Sequence, residues 1–178
     1  MSAPREEFER MVSAYERRIF NVALKLTGDS DEAADLTQET FLRAFRAWGR
    51  FRGESATYTW LYRIVVNLNK DRIGREVRRR ERETSIDTGG AQSGSIEIMD
   101  SGSTPHSEAE RYEARDILAQ AIRDLPDGYR ECVVLKDIEG LSYDEIAQVM
   151  DITVEAVRSR LARARQQLRQ RLAPYLKT

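Results

Sequence analysis

The sequence predicts an all-α protein made of two small helical domains joined by a flexible linker, and three observations carry that expectation. Apolar residues recur at three- and four-residue steps through most of the chain, and no stretch makes a convincing strand. Thr84 to Pro105 is rich in Ser, Gly and Thr, holds few large apolar residues and has no helical period, as a linker with little intrinsic structure does. The 178 residues, 40% hydrophobic and 33% charged, are enough for one large domain or two small ones with modest cores. The expected division is residues 1–82, a linker over 83–106, and residues 107–178.

The first domain reads as three helices. Phe8, Met11, Val12, Tyr15, Ile19, Val22 and Leu26 form one apolar stripe from about Arg5 to Leu26, ended by Gly28. A second helix starts near Ser30 or Asp31. It is expected to carry Ala34, Phe41, Phe45 and Trp48 inward, leaving Asp35, Gln38 and Glu39 on another face. Gly49 to Thr57 is a loop. A third helix from about Tyr58 is expected to bury Leu61, Ile64, Val65 and Leu68 and to run into an arginine-rich stretch.

The second domain opens at Ser107 to Glu110, which has the S-x-x-E form of a capping box. Ile117, Leu118, Ala121, Ile122 and Leu125 supply the stripe of that helix, and Pro126 stops it. A further helix from about Gly128 to Glu139 buries Cys132, Val133 and Leu135 before Gly140. Ser142 to Glu145 is a second capping box, opening a short helix through Met150. Asp151, Ile152 and Thr153 make a turn with Thr153 as N-cap, and a basic helix follows to about Leu172.

Lys and Arg total 29 and Asp and Glu total 30, a net charge of -1 that conceals strong blocks. Asp29 to Glu39 holds five acids and no base, Lys70 to Arg82 is arginine-rich, Glu83 to Glu110 has no Lys or Arg, and no acid follows Ala156. Fields act over roughly 8–10 Å at ordinary salt, so the blocks matter more than the sum. The single Cys132 excludes a disulfide within the chain, and the single His106 leaves no zinc constellation. No apolar run approaches the ~20 residues of a membrane span, and the N-terminus lacks a signal-peptide core. The expected location is the cytoplasm, with no cofactor and no catalytic residue.

Two helices joined by a turn of about three residues, the second rich in arginine, have the sequence form of a helix-turn-helix. Ile146, Ala147, Met150, Ile152, Val157 and Leu161 would be its core. Arg158, Ser159, Ala162 and Arg163 share a face that would enter the major groove, with Arg160, Arg165 and Arg169 to the sides, touching phosphate or solvent. A charge run alone fits a solvated helix equally well. The capped helix before it and the absence of acids after Ala156 favour DNA.

The first domain makes the chain resemble a specific family. Asp35-Leu36-Thr37-Gln38-Glu39-Thr40-Phe41 is similar to the D-L-x-Q-E-x-F signature of extracytoplasmic-function (ECF) sigma factors, the group 4 members of the sigma-70 family. Phe51-Arg52-Gly53, then Thr59-Trp60-Leu61-Tyr62-Arg63-Ile64 and Asn67, resemble the family's F-R-G…T-W-L-Y-R-I-x-x-N block. Leu125-Pro126, Gly140-Leu141-Ser142-Tyr143-Asp144-Glu145-Ile146-Ala147 and Val157-Arg158-Ser159-Arg160 match its C-terminal region. The likeness covers nearly the whole chain apart from the linker. Ala162 departs from it, standing where many relatives carry a larger side chain.

The resemblance implies a region 2 helical bundle and a region 4 helix-turn-helix. It implies a subunit that binds bacterial core RNA polymerase, directs it to promoter DNA and is held by an anti-sigma factor, itself a monomer. Its acidic second helix would dock on the clamp helices of the largest polymerase subunit, and Asp35, Gln38, Glu39, Leu42 and Arg46 lie at steps that let one face present them all. Minus-ten recognition and melting would fall to Phe51, Tyr58, Trp60, Tyr62, Arg63, Asn67, Lys70 and Asp71, with Arg72 and Arg75 on strand phosphates. The bland reading makes Phe51 and Trp60 core residues. Minus-thirty-five recognition would fall to Thr153, Arg158, Ser159, Arg160, Ala162 and Arg163. The linker, which could reach at most ~80 Å when extended, resembles the family's connector through the polymerase.

Two other classes make different demands on the sequence. A stand-alone helix-turn-helix regulator predicts a ligand pocket or phospho-acceptor in the first domain, and its sequence offers neither. A nucleic-acid enzyme using the Asp29 to Glu39 carboxylates predicts converging ligands, which one helix face does not supply.

Overall fold

The structure, a computed structural model, describes residues 3–51, 56–83 and 105–175. The linker expectations on 84–104 and the loop residues 52–55 lie outside the described residues. Every element among the described residues is helical, and the chain divides into two compact units. The first is built on α1 (Ala3–Thr27), α2 (Ser30–Trp48) and α3 (Thr57–Glu83). The second holds α4 (Pro105–Arg123), α5 (Asp127–Val133, continued by a wide turn Val134–Ile138), most of α6 (Tyr143–Met150) and α7 (Val154–Leu172).

In the first unit the stripe of α1 is realised as expected: Phe8, Met11, Ile19, Val22 and Leu26 are buried. Gly28 ends the helix with φ +76°, its N–H donating to Leu24 O at 2.8 Å. Asp29 follows at once as N-cap of α2, where its Oδ1 accepts from the N–H groups of Asp31 and Glu32, both at 2.9 Å. Two residues therefore reverse the chain, and α1 and α2 pack side by side.

The inward face of α2 is not the expected one. Ala33, Leu36, Thr37, Thr40 and Ala44 are buried, whereas Ala34 is exposed, Phe41 and Trp48 are half-buried, and Phe45 is 56% exposed. The buried face is rotated by about one residue, near 100° on a helix, from the most apolar stripe. Small residues there let the helix axes approach. The two threonines satisfy their hydroxyls within the helix, Thr37 Oγ1 donating to Ala33 O and Thr40 Oγ1 to Leu36 O, both at 2.7 Å. In α3 the buried residues include Thr59, Leu61, Tyr62, Val65, Val66, Leu68 and Asn69, with Ile64 only half-buried.

In the second unit α4 starts at Pro105, two residues ahead of Ser107, so the S-x-x-E pattern lies inside the helix rather than at its cap. Proline suits a first helical position, where its missing N–H costs nothing. Leu118 of α4 is exposed. Arg130 of α5 donates to Leu125 O at 3.0 Å and so satisfies a carbonyl beyond the end of α4. After the wide turn, Gly140 takes φ +77° and Leu141 N–H reaches back to Leu135 O at 3.0 Å. The Ser142 capping box forms as expected: Ser142 N–H donates to Glu145 Oε2 at 2.8 Å, and Glu145 N–H to Ser142 Oγ at 3.2 Å.

The turn from α6 to α7 carries Asp151 at φ +56°, the one non-glycine positive φ among the described residues, and Ile152 N–H bonds to Ala147 O at 3.1 Å. Thr153 Oγ1 accepts from Ala156 N–H at 3.1 Å and caps α7. Ile146, Val157 and Leu161 are buried as expected, and Ala164 is buried with them; Met150 and Val149 are buried too, while Ala147 and Ile152 are only half-buried.

Gly140 separates backbone strain from crowding, because nothing lies within 4 Å of a Cβ built on it. Gly140→Ala should cost about 1–2 kcal/mol from the left-handed conformation alone, measured by urea unfolding. Gly49→Ala, in right-handed geometry and equally open, should be neutral or mildly stabilising.

Candidate functional site

Three surfaces concern the expected functional residues. The first is the outer face of α2. Asp35, Gln38, Leu42 and Arg46 are exposed and Glu39 is half-exposed, all on the side opposite the buried small residues. Glu39 is held by Arg43 at 3.1 Å, and Arg43 also reaches Asp71 of α3 at 3.7 Å. Beside this face runs an open groove of about 610 Å³ between α1 and α2, lined by Phe8, Val12, Phe20, Phe41, Leu42 and Phe45 among others. The sequence did not reveal it, because Phe41 and Phe45 were assigned to the core. The face that carries the acids is thus flanked by an apolar trough, and Gln38 and Leu42 border both.

The second surface is the α2–α3 loop with α3. Phe51 and Trp60 stack on one another at 4.6 Å between ring centroids, and Trp48 stacks on Phe51 at 5.7 Å. Phe8 joins them edge-on to Trp48 at 5.4 Å. Trp48, Phe51 and Trp60 are half-buried, and Phe8 is buried. Tyr62 is a correction: it is wholly buried, so its ring is core and offers no stacking surface. Tyr58 is half-buried and packs edge-on to it at 6.2 Å. Arg63, Asn67 and Asp71 are exposed along one face at four-residue steps, with Lys70 half-buried beside them. Arg72 is a second correction. Its guanidinium donates to Glu32 Oε2 at 2.7 Å and to Asn69 Oδ1 at 3.3 Å, which ties α3 to the start of α2 instead of facing a strand.

The third surface is α7. Arg158, Ser159, Ala162 and Arg163 are exposed together, and capping occupies the Thr153 hydroxyl. Arg160 is half-buried, and a Cβ on Gly128 would come within 3.0 Å of its Nη1, so it packs on the start of α5. Arg165, expected to touch phosphate or solvent, forms a two-point pair with Asp137, with Nη2 to Oδ1 at 2.5 Å and Nε to Oδ2 at 3.2 Å. That pairing raises its pKa further above the ordinary arginine value.

Tyr143, not singled out by sequence reasoning, organises this region. The Arg158 guanidinium lies over its ring at 5.8 Å and the Lys136 ammonium at 5.1 Å. Tyrosine in the first turn of a capped helix, fifteen residues before the first face arginine, was the available signal. Among the described residues no group of three or more His, Cys, Asp or Glu side chains is placed to hold a metal ion.

Comparison with known proteins agrees with this geometry. Residues 11–80 match the family model of sigma-70 region 2, and residues 115–168 that of sigma-70 region 4. The chain is 37% identical to the RNA polymerase sigma-H factor of Pseudomonas aeruginosa, over 96% of this chain and 88% of that protein. It is 34% identical to the ECF RNA polymerase sigma-E factor of Haemophilus influenzae, over 97% of this chain and 90% of that one. Among solved structures it resembles the sigma factor RpoE of Bartonella quintana, crystallised with the anti-sigma factor NepR. The TM-score is 0.75 at 23% identity, covering 97% of this chain and 99% of that one. It also resembles CnrH in complex with the cytosolic domain of CnrY, with a TM-score of 0.66 at 24% identity, covering 96% and 90%.

A helical bundle matching region 2, followed by a helix-turn-helix matching region 4, defines a sigma factor, and this chain belongs to the sigma-70 family. Its relatives place it in the extracytoplasmic-function group.

Electrostatics at the end of α3 can be read directly. Glu76 accepts from Arg79 Nη2 at 2.9 Å and Arg80 Nε at 3.0 Å, and these bonds hold its carboxyl pKa at about 2, down from 4.5. With the folded value depressed, the support it lends the helix is complete above about 4.5 and lost as pH falls through about 2. Carboxyl NMR should find the Glu76 midpoint near 2 and see it return toward 4.5 in an Arg79→Gln/Arg80→Gln variant. A midpoint near 4.5 in the unaltered chain means the pairs are not populated.

Proposed function

We propose that this chain is the promoter-specificity subunit of a bacterial RNA polymerase holoenzyme, working in the cytoplasm, with no chemistry of its own. The carrying observation is that both working regions of a sigma factor match, and curated ECF relatives align over nearly the whole chain. In this reading residues 1–82 and 107–178 are the two working modules and 83–106 connects them. The outer face of α2, with Asp35, Gln38, Glu39, Leu42 and Arg46, docks on the core enzyme. A carboxylate-lined stripe beside an apolar trough suits a basic, amphipathic partner helix.

Minus-ten recognition rests on the aromatic cluster of Phe51 and Trp60 and the open face of α3. Asn67 and Asp71 offer directional polar groups one helical turn apart, and Arg63 and Lys70 supply positive charge for the separated strand. Phe51, Tyr58 and Trp60 give the aromatic edges against which an extruded base settles. Minus-thirty-five recognition rests on Arg158, Ser159, Ala162 and Arg163 in the major groove, with Arg160 at the flank and Thr153 fixing the start of the helix. The proposed inhibitor is an anti-sigma factor, as in the RpoE–NepR complex whose fold this chain shares.

A stand-alone regulator is the competing reading, and the region 2 match speaks against it, since such a protein carries a sensing domain at that place. The deciding experiment is assembly of the purified chain with core polymerase, followed by initiation from a target promoter. A chain that neither binds core enzyme nor supports initiation is not a sigma factor.

Two substitutions test the DNA assignments. Arg158→Ala or Arg163→Ala should weaken minus-thirty-five binding by about 1–3 kcal/mol and relax sequence preference at one position each, as read by footprinting on a substituted promoter series. Asn67→Ala should change preference among minus-ten sequences while leaving core binding intact. An equal loss at every minus-ten sequence would make its role structural.

A further inference from the structure

The part of α7 farthest from the core is not its most basic part. Val157, Leu161 and Ala164 turn inward. At about 100° per residue, Glu155, Ser159, Ala162 and Gln166 lie within roughly 50° of the line directly opposite them, at four-, three- and four-residue steps. All four are exposed. The strip they form carries a carboxylate, a hydroxyl, a methyl and an amide, and no cation. Arg158 flanks it on one side and Arg163 on the other.

Glu155 is the anomaly of this strip, the single acid in a helix that holds six arginines. Arg158 stands three positions on, at the spacing of a helical ion pair, but its guanidinium lies over the Tyr143 ring at 5.8 Å instead. Among the described residues no ion pair takes up the Glu155 carboxylate. The turn that carries it is fixed: Thr153 Oγ1 accepts from Ala156 N–H and Thr153 O from Val157 N–H, both at 3.1 Å. In a helix-turn-helix the first residues of the second helix are the ones that meet base edges. A carboxylate brought there can only accept. The phosphates that wall the groove repel it. Of the bases, guanine shows it acceptors, and thymine an acceptor and a methyl. Adenine N6 is a donor but stands beside the N7 acceptor, which repels the second carboxylate oxygen. Cytosine N4 is a donor without that neighbour, and it is the match.

We propose that Glu155 accepts a hydrogen bond from the amino group of a cytosine in the minus-thirty-five element, and so sets the base preference of this chain at one position. The inference rests on the sigma-factor reading above and deepens it. With Arg158 held against Tyr143, the carboxylate stays available to the base instead of being neutralised along its own helix. An acid in a first helical turn is also favoured by the helix dipole, so a purely helix-stabilising role is the alternative the experiment must separate. That role needs only negative charge, and it treats every base sequence alike.

The test uses holoenzyme and a promoter library randomised through the minus-thirty-five element. The unaltered chain should enrich cytosine, on one strand or the other, by roughly tenfold at one position. Glu155→Gln keeps the shape and exchanges carboxylate for amide, so it should abolish that preference at that position alone and shift it toward adenine, whose N6 and N7 suit an amide. A second measurement needs no change of the helix. Replacing the selected cytosine by pyrimidin-2-one, which lacks only the amino group, should weaken binding of the unaltered chain roughly tenfold and leave Glu155→Ala unaffected. A minus-thirty-five profile that Glu155→Gln leaves unchanged, a loss equal at every position, or equal sensitivity of both chains to pyrimidin-2-one overturns the inference while leaving a holoenzyme that selects its promoter. Failure of the unaltered chain to assemble with core polymerase, or to enrich any minus-thirty-five sequence, overturns the sigma-factor reading and this inference with it.

Discussion

The close approach of α1 and α2 through small side chains fixes what the first unit can present. With Ala33, Thr37, Thr40 and Ala44 inward, the two helices pack through short contacts, and the threonine hydroxyls stay satisfied within their own helix. The bulky residues then have no room inside. Phe41 and Phe45 are turned to the edge, where with Phe8, Val12 and Phe20 they open a trough. The acids are placed by the same rotation, squarely opposite the core. Reversing the order, large residues inward and small outward, would separate α1 from α2 and scatter Asp35, Gln38 and Leu42 over a different surface.

The second unit solves a different problem, that of aiming one helix. Each end around α6 is pinned by a local device: the Gly140 turn, the reciprocal Ser142–Glu145 cap, the left-handed Asp151 and the Thr153 cap. None depends on a large core, which suits a small domain whose buried set is mostly Val, Leu and Ala. Fixed ends matter because α7 projects its arginine face away from the core, where packing cannot correct its direction. Tyr143 extends this logic to side chains, holding Lys136 and Arg158 against one ring.

Arginine is abundant in both units, and carboxylates decide which arginines remain presented. Glu32 takes Arg72, Glu76 takes Arg79 and Arg80, Asp137 takes Arg165 and Asp124 takes Arg171. These pairs are largely exposed and each contributes little to stability. Their effect is on direction: an arginine tied to a neighbour is withdrawn from the surface that meets a nucleic-acid backbone. A formal charge near zero is therefore compatible with strongly positive local faces.

The helices, most of their ends and the family were legible in the sequence, because periodicity, caps and glycine turns act over a few residues and need no partner; the start of α4, at Pro105 instead of the Ser107 box, was the exception. Gly28, the Ser142 box and Thr153 are cases where local chemistry alone fixed the backbone. The exposure of the α7 face followed equally from spacing. What tertiary structure alone decided was which of two neighbouring stripes turns inward. Hydrophobicity favoured Phe41 and Phe45 in α2, but interhelical distance favoured Ala33, Thr37 and Ala44, and distance prevailed. The burial of Tyr62 and the capture of Arg72 and Arg165 were likewise hidden, since Glu32 lies 40 residues from Arg72 and Asp137 lies 28 from Arg165. Pairings across such separations exist only once the chain has closed, so no local pattern can announce them.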